Sequence, residues 1–90
     1  MKRKAIVKEI QVGGYNCFKS LHEACNDYVN SMKESNCLMR PKIIFTIELP
    51  NGDIKQITIR DEEDQAVAYG DFEGLPDFLE YSKIIEKENK

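Results

Sequence analysis

Four side chains in the first half of the chain have the chemistry of metal ligands, or of a nucleophile with its base: Cys17, His22, Cys25 and Cys37. Structural zinc sites draw their ligands in close pairs from tight turns, and the spacing C-x4-H-x2-C-x11-C is not of that kind. Cys25 also falls in the middle of an apolar stripe, where a thiol behaves as a small buried hydrophobe. Cys17 and His22 lie near a helix start, a place that activates thiols. No nucleophile motif accompanies them, however, and the single histidine falls on the polar face of that helix. No metal and no cofactor is expected.

The carboxylates are many but do not read as an acid–base pair. Catalytic carboxylates need environments that push their pKa values apart, whereas the run Asp61-Glu62-Glu63-Asp64 is polar throughout and has the look of a solvated helix start. Val12-Gly13-Gly14-Tyr15 joins a strand to a helix, where phosphate loops occur. Neither the P-loop nor the dinucleotide fingerprint is present, so it reads as a tight turn. The chain is expected not to be an enzyme.

Charge is the strongest functional signal. Residues 1–60 carry ten Lys and Arg against six Asp and Glu, a net of +4, while residues 61–90 carry three against ten, a net of −7. The switch comes at Arg60-Asp61, and such asymmetry speaks about partners more than about fold. The acidic segment mixes Asp61, Glu62, Glu63, Asp64, Asp71, Glu73 and Asp77 with the aromatics Tyr69 and Phe72. Aromatic anchors inside an acidic rim suit a protein interface, and carboxylates can stand where nucleic-acid phosphates would. Lys2, Arg3, Lys4, Lys8, Arg40 and Lys42 form the basic alternative, a nucleic-acid surface on the first strand and a hairpin. That alternative is weaker, because the pI of about 5.1 reverses the usual footprint and tryptophan is absent.

These side chains must be positioned by a small scaffold. Ninety residues make one domain, expected over 1–90. Residues 3–12 read as a strand with Ile6, Lys8, Ile10 and Val12 on one face and Ala5 and Val7 on the other. Residues 20–35 read as a helix. Ser20 and Glu23 have capping-box spacing, and Leu21, Ala24, Cys25, Tyr28, Val29 and Met32 form one apolar stripe.

Residues 42–49 and 53–60 read as a β-hairpin. A three-residue Pro50-Asn51-Gly52 loop pairs Leu49 with Asp53, Phe45 with Ile57 and Ile43 with Ile59, which gathers the large odd-numbered residues on one face. A two-residue loop would split that apolar set and is rejected. Ile44 and Ile54 then fall on the far face, exposed or covered by the acidic tail.

Asp61 reads as an N-cap for a short helix closed by Gly70, with a strand over residues 66–69 as the alternative. Asp71-Phe72-Glu73-Gly74 reads as a loop. A last helix is expected over about residues 75–87, with Pro76 in its first turn and Leu75, Phe78, Leu79, Tyr81, Ile84 and Ile85 on its apolar side.

The fold class expected is therefore α+β: a two-layer domain with an antiparallel sheet, order β-α-β-β-(α)-α, and helices packed on one face. The expected function is that of a small non-enzymatic binding protein, an inhibitor or regulator whose acidic C-terminal third occupies a basic, nucleic-acid-binding site on a larger protein. A phage or mobile-element origin fits its compactness. No apolar run approaches the length of a bilayer span and the basic start is interrupted too soon for a signal peptide, so no membrane association is expected. Three irregularly spaced cysteines argue for a reducing, cytoplasmic setting. An open sheet edge together with Ile44 and Ile54 would favour a homodimer.

Overall fold

The computed structural model describes residues 3–14, 16–35 and 40–89. Lys2, Tyr15 and Cys37 lie outside the described residues, so what is expected of them has no structural counterpart. The elements run β1 (Arg3–Lys4), β2 (Ile6–Val12), β3 (Asn16–Phe18), α1 (Leu21–Glu34), β4 (Ile43–Glu48), β5 (Ile54–Ile59), α2 (Glu62–Asp71), β6 (Phe72–Glu73) and α3 (Phe78–Glu88). Four of the strands form one antiparallel sheet in the order β3-β2-β4-β5. α1 and α3 pack together on one of its faces, giving the two-layer α+β architecture that the patterning implies.

The hairpin is the part its local chemistry determines most fully. Ile43 pairs with Ile59 and Phe45 with Ile57. The Leu49 N–H donates to the Asp53 carbonyl at 2.8 Å, and Gly52 N–H to the Leu49 carbonyl at 2.8 Å. Asn51 Oδ1 accepts from Asp53 N–H at 3.0 Å, an Asx turn that holds the loop. Parity does the rest: Ile43, Phe45, Ile47, Leu49 and Ile59 are all buried, while Ile54 on the opposite face is 56% exposed and Ile44 is half-buried.

β2 departs from simple alternation. Its register against β4 shifts between Val7 and Glu9, so Val7 faces Ile47 while Ile10 faces Phe45 and Val12 faces Ile43. The bulge at Lys8 inverts the phase of the strand. Val7 therefore joins Ile10 and Val12 on the core side, and Ile6, expected beside them, lies 54% exposed opposite Glu48. Unbroken alternation would have aimed the Lys8 ammonium into the core, and a bulge costs far less than burying an unpaired charge. β2 is also a central strand. Gly13 and Gly14 turn the chain back into β3, a three-residue strand that the pattern does not announce, which pairs Phe18 with Ile10 and Cys17 with Gln11. The free edges of the sheet are therefore β3 and β5.

α1 follows its stripe: Ala24, Cys25, Tyr28 and Val29 are buried against the sheet and α3. Ser20 is the N-cap, but its side chain makes no capping bond, so the capping box does not form; the Ser20 carbonyl accepts from Ala24 N–H at 3.1 Å instead. Phe78, at the start of α3, fills the centre of the core. Its ring meets those of Tyr28 and Phe45 edge to face, at centroid distances of 5.4 Å and 6.1 Å. Burying such a ring contributes about 2–3 kcal/mol, with further gain from the aromatic geometry.

The acidic third differs from expectation at three points. α2 is a helix, but it runs through Gly70 to Asp71 rather than stopping there. Phe72–Glu73 is not loop: it pairs in parallel with Arg3–Lys4, and Ala5 N–H donates to the Glu73 carbonyl. Leu75 and Pro76 precede α3, whose N-cap is Asp77. Pro76 is thus spent on the entry to the helix, where the tie from its carbonyl to Tyr69 fixes the approach.

Candidate functional site

The acidic residues divide into those whose carboxylates cap the helix starts and those that cap nothing. Asp61 Oδ1 accepts from Asp64 N–H at 2.9 Å, and Asp64 Oδ2 accepts from Arg60 N–H at 2.9 Å. The first bond satisfies one of the amide groups that a helix N-terminus would leave unpaired, and the second ties the residue before the cap to the first turn. Asp77 has the same role for α3: its Oδ1 accepts from Glu80 N–H at 3.1 Å and from Gln65 Nε2 at 2.6 Å. Gln65 is itself buried, and its Oε1 accepts from Leu79 N–H at 3.1 Å. One amide side chain thereby clamps α2 onto the first turn of α3 and satisfies a buried donor.

Tyr69 is part of the same support. Its hydroxyl donates to the Pro76 carbonyl, and burial, followed by the Asp77 charge, drives its pKa well above the ordinary phenol value. Phe72 is half-buried against the core. Neither aromatic stands out as a free anchor; both hold the segment that presents the acids.

Glu63, Asp71, Glu73 and Glu80 are exposed and make no side-chain hydrogen bond or ion pair among the described residues. Glu62 is exposed too, with Lys83 Nζ 3.2 Å from its Oε1. Between α2 and the start of α3 lies a shallow, open hollow of about 440 Å³ lined by Glu62, Gln65, Asp77, Leu79, Glu80 and Lys83. Three carboxylates from two helices converge there against one ammonium. A second depression adjoins it. This cleft, of about 140 Å³, runs between α1 and α3 over Tyr28, Val29, Met32, Leu79 and Ser82, with Lys33, Arg40 and Glu86 at its rim. Glu62, Leu79 and Lys83 line both, so the Glu62–Lys83 pair stands between hollow and cleft. Glu80 and the cleft carry no signal in composition. The spacing of Leu79, Lys83 and Glu86 on one side of α3 is the trace they leave in the sequence.

The basic candidates are spread out. Lys4 is exposed at the pairing of β1 with β6, its backbone opposite the acidic Glu73. Arg3 is paired through its backbone to Phe72. Lys8 Nζ lies 4.0 Å from Glu48 Oε2. Lys42 is at the other end of β2, where its carbonyl accepts from Gly13 N–H at 3.0 Å. Arg40 belongs to the helix cleft rather than to the sheet.

The sulfur and imidazole groups do not converge. Cys17 is exposed on the outer face of the sheet, beside Gln11. Cys25 is buried beneath α1 with its Sγ 3.7 Å from the Phe78 carbonyl, and burial raises its pKa to about 11. His22 is exposed, with Nδ1 3.0 Å from the Tyr81 hydroxyl. No group of three or more metal-ligating side chains is gathered among the described residues, and no described helix is long and apolar enough to cross a membrane. No protein-family model matches the chain, and no match to it is found among curated proteins or solved structures.

Proposed function

We propose that the chain is a non-enzymatic inhibitor or regulator that docks its acidic end onto a basic, nucleic-acid-binding surface of a larger protein. The observation that supports this most is the convergence of Glu62, Asp77 and Glu80 on one hollow between α2 and α3, with Glu63 exposed beside Glu62 on the first turn of α2. Caps and the Gln65 clamp hold the two helices that carry them, so the carboxylates are presented on a fixed frame. Preorganised charge speeds encounter and selects partners of opposite sign. The exposed Cys17 and buried Cys25, both free thiols, fit a reducing cytoplasmic setting. A nucleic-acid-binding role has less support, since Arg40 lies at the helix cleft and Lys42 at the far end of β2, apart from Lys4 and Lys8.

The test is capture of partners from nuclease-treated lysate on immobilised protein, beside a variant with Glu62→Gln, Glu63→Gln, Glu73→Gln and Glu80→Gln. The capping aspartates are left in place so that folding is preserved. A protein held by wild type, lost with the variant, weakened by salt and displaced by added oligonucleotide is the expected result. A partner indifferent to the substitutions and to oligonucleotide would refute the proposal.

A further inference from the structure

We infer that the partner recognised by the acidic end carries a two-part epitope: a guanidinium for the acidic hollow and, next to it, one aromatic or branched aliphatic side chain for the adjoining helix cleft. The inference rests on the acidic end being a docking surface, and it specifies the chemistry of what docks. Three observations carry it. The first is size. A cleft of about 140 Å³ is close to the roughly 150 Å³ of a cavity that holds a benzene ring. It is well under the roughly 300 Å³ at which small-molecule and cofactor sites begin. It fits one side chain, the usual form of a binding hot spot.

The second is lining. The floor is Tyr28, Val29, Met32 and Leu79, packed from two helices on a fixed core, and the unbranched Met32 thioether can adapt to the shape of what enters. The third is charge and adjacency. The hollow sets Glu62, Asp77 and Glu80 against Lys83 alone. The Glu62–Lys83 pair that separates it from the cleft is open to solvent at both ends, with side chains 73% and 65% exposed. Such a pair is weak, and a guanidinium with its forked donors displaces an ammonium from a carboxylate readily. Because hollow and cleft share three residues, the two partner groups must be neighbours, as at positions i and i+4 of a helix.

The experiment is an NMR titration of the wild-type protein, following the Met32 methyl and the Leu79 and Glu80 amides. Four probes are compared: phenethylguanidinium, ethylguanidinium, phenethyl alcohol and hydrocinnamate. Phenethylguanidinium is expected to move all three signals and to bind at least about tenfold tighter than ethylguanidinium, because the linked ring adds a second site. Met32→Trp, or the smaller Met32→Phe should the first not fold, is expected to fill the cleft. Either variant should reduce phenethylguanidinium to the affinity of ethylguanidinium.

If the two guanidinium probes bind equally, the cleft is no anchor site and the inference falls, while the acidic docking surface stands. If hydrocinnamate binds tightest, the cleft takes an anion through Arg40 and the inference is overturned. If neither guanidinium probe moves Glu80, the docking surface itself fails with it.

Discussion

Gly74 offers a sharp test of how the acidic third is tied to the start of the chain. Its φ is +87°, and a Cβ there would come within 2.7 Å of the Ala5 carbonyl oxygen, a backbone atom in the link between β1 and β2. Gly52, in the hairpin loop, has φ +92° and open space where its Cβ would be. The pair separates two costs. A left-handed conformation costs an L-residue about 1–2 kcal/mol, offset by roughly 0.4–1 kcal/mol from the lower entropy of the unfolded chain. Gly52→Ala should therefore destabilise by about 0.5–1 kcal/mol. Gly74→Ala carries the same conformational cost plus the displacement of a backbone carbonyl, for which overpacking costs of about 1–3 kcal/mol are typical. The same displacement would strain the Ala5–Glu73 hydrogen bond. The expected total is about 2–4 kcal/mol, a large share of the stability of a domain this size. Urea unfolding followed by circular dichroism reads it: with a slope near 1 kcal/mol per molar, the two midpoints should differ by about 1–3 M. Midpoints that coincide would refute the close approach of the turn at Gly74 to Ala5.

Gln65→Leu is expected to destabilise by about 1–3 kcal/mol in the same assay, since it leaves the buried Leu79 N–H without an acceptor; a neutral outcome would show that α2 and α3 do not depend on the clamp. Iodoacetamide at neutral pH is expected to modify Cys17 slowly, because desolvation and then Glu9 raise its pKa, and to spare Cys25 until the protein unfolds. Peptide mapping by mass spectrometry distinguishes the two, and Glu9→Gln should speed the first. Stability is expected to fall as pH rises from 9 toward 11: the unfolded Cys25 thiol loses its proton from its ordinary value of 9.0 upward, while the native one keeps it to about 11. Cys25→Ala should reduce that fall from about pH 9 upward, and Tyr69→Phe should reduce it from about 10.0, the ordinary phenol value, upward, where the raised phenol contributes with the same sign.

The contrast between what was legible in the sequence and what was not follows the range of the interactions. The β4–β5 register is decided within seventeen residues, by one loop and by the parity of Ile43, Phe45, Ile47, Ile57 and Ile59, so local rules suffice. The same holds for the α1 stripe and for Asp61 as a cap. The bulge at Lys8 breaks a period-two reading: a charge on the apolar face of the strand is its local trace, but the register that places the shift between Val7 and Glu9 is set against a strand over thirty residues away. β3 and β6 are too short to show a period at all and exist because a partner strand is in place. At the acidic end, the charges were legible and their division of labour was not. Asp61, Asp64 and Asp77 cap helix starts, Tyr69 and Phe72 lend support, and the carboxylates that cap nothing are Glu62, Glu63, Asp71, Glu73 and Glu80. The cleft arises from α1 and α3 meeting, a tertiary event that neither helix announces alone.

The short parallel pairing of β1 with β6 has a consequence for the order of assembly. It joins stretches that flank every element from β2 to α2, whereas the β4–β5 hairpin closes over a three-residue loop. Loop-closure entropy favours the hairpin first and the distant pair last. A two-residue ladder formed last is also the first to open, as a local event below the cost of global unfolding, and the cost of that opening is the ceiling on what Gly74→Ala can subtract from stability. Amide exchange at Ala5 is therefore expected to outpace that at Ile10 and Ile47 by a wide margin. In the opened form the basic start of the chain parts from the acidic segment while the sheet stays intact, so the two oppositely charged ends behave as a latch that releases without melting the core.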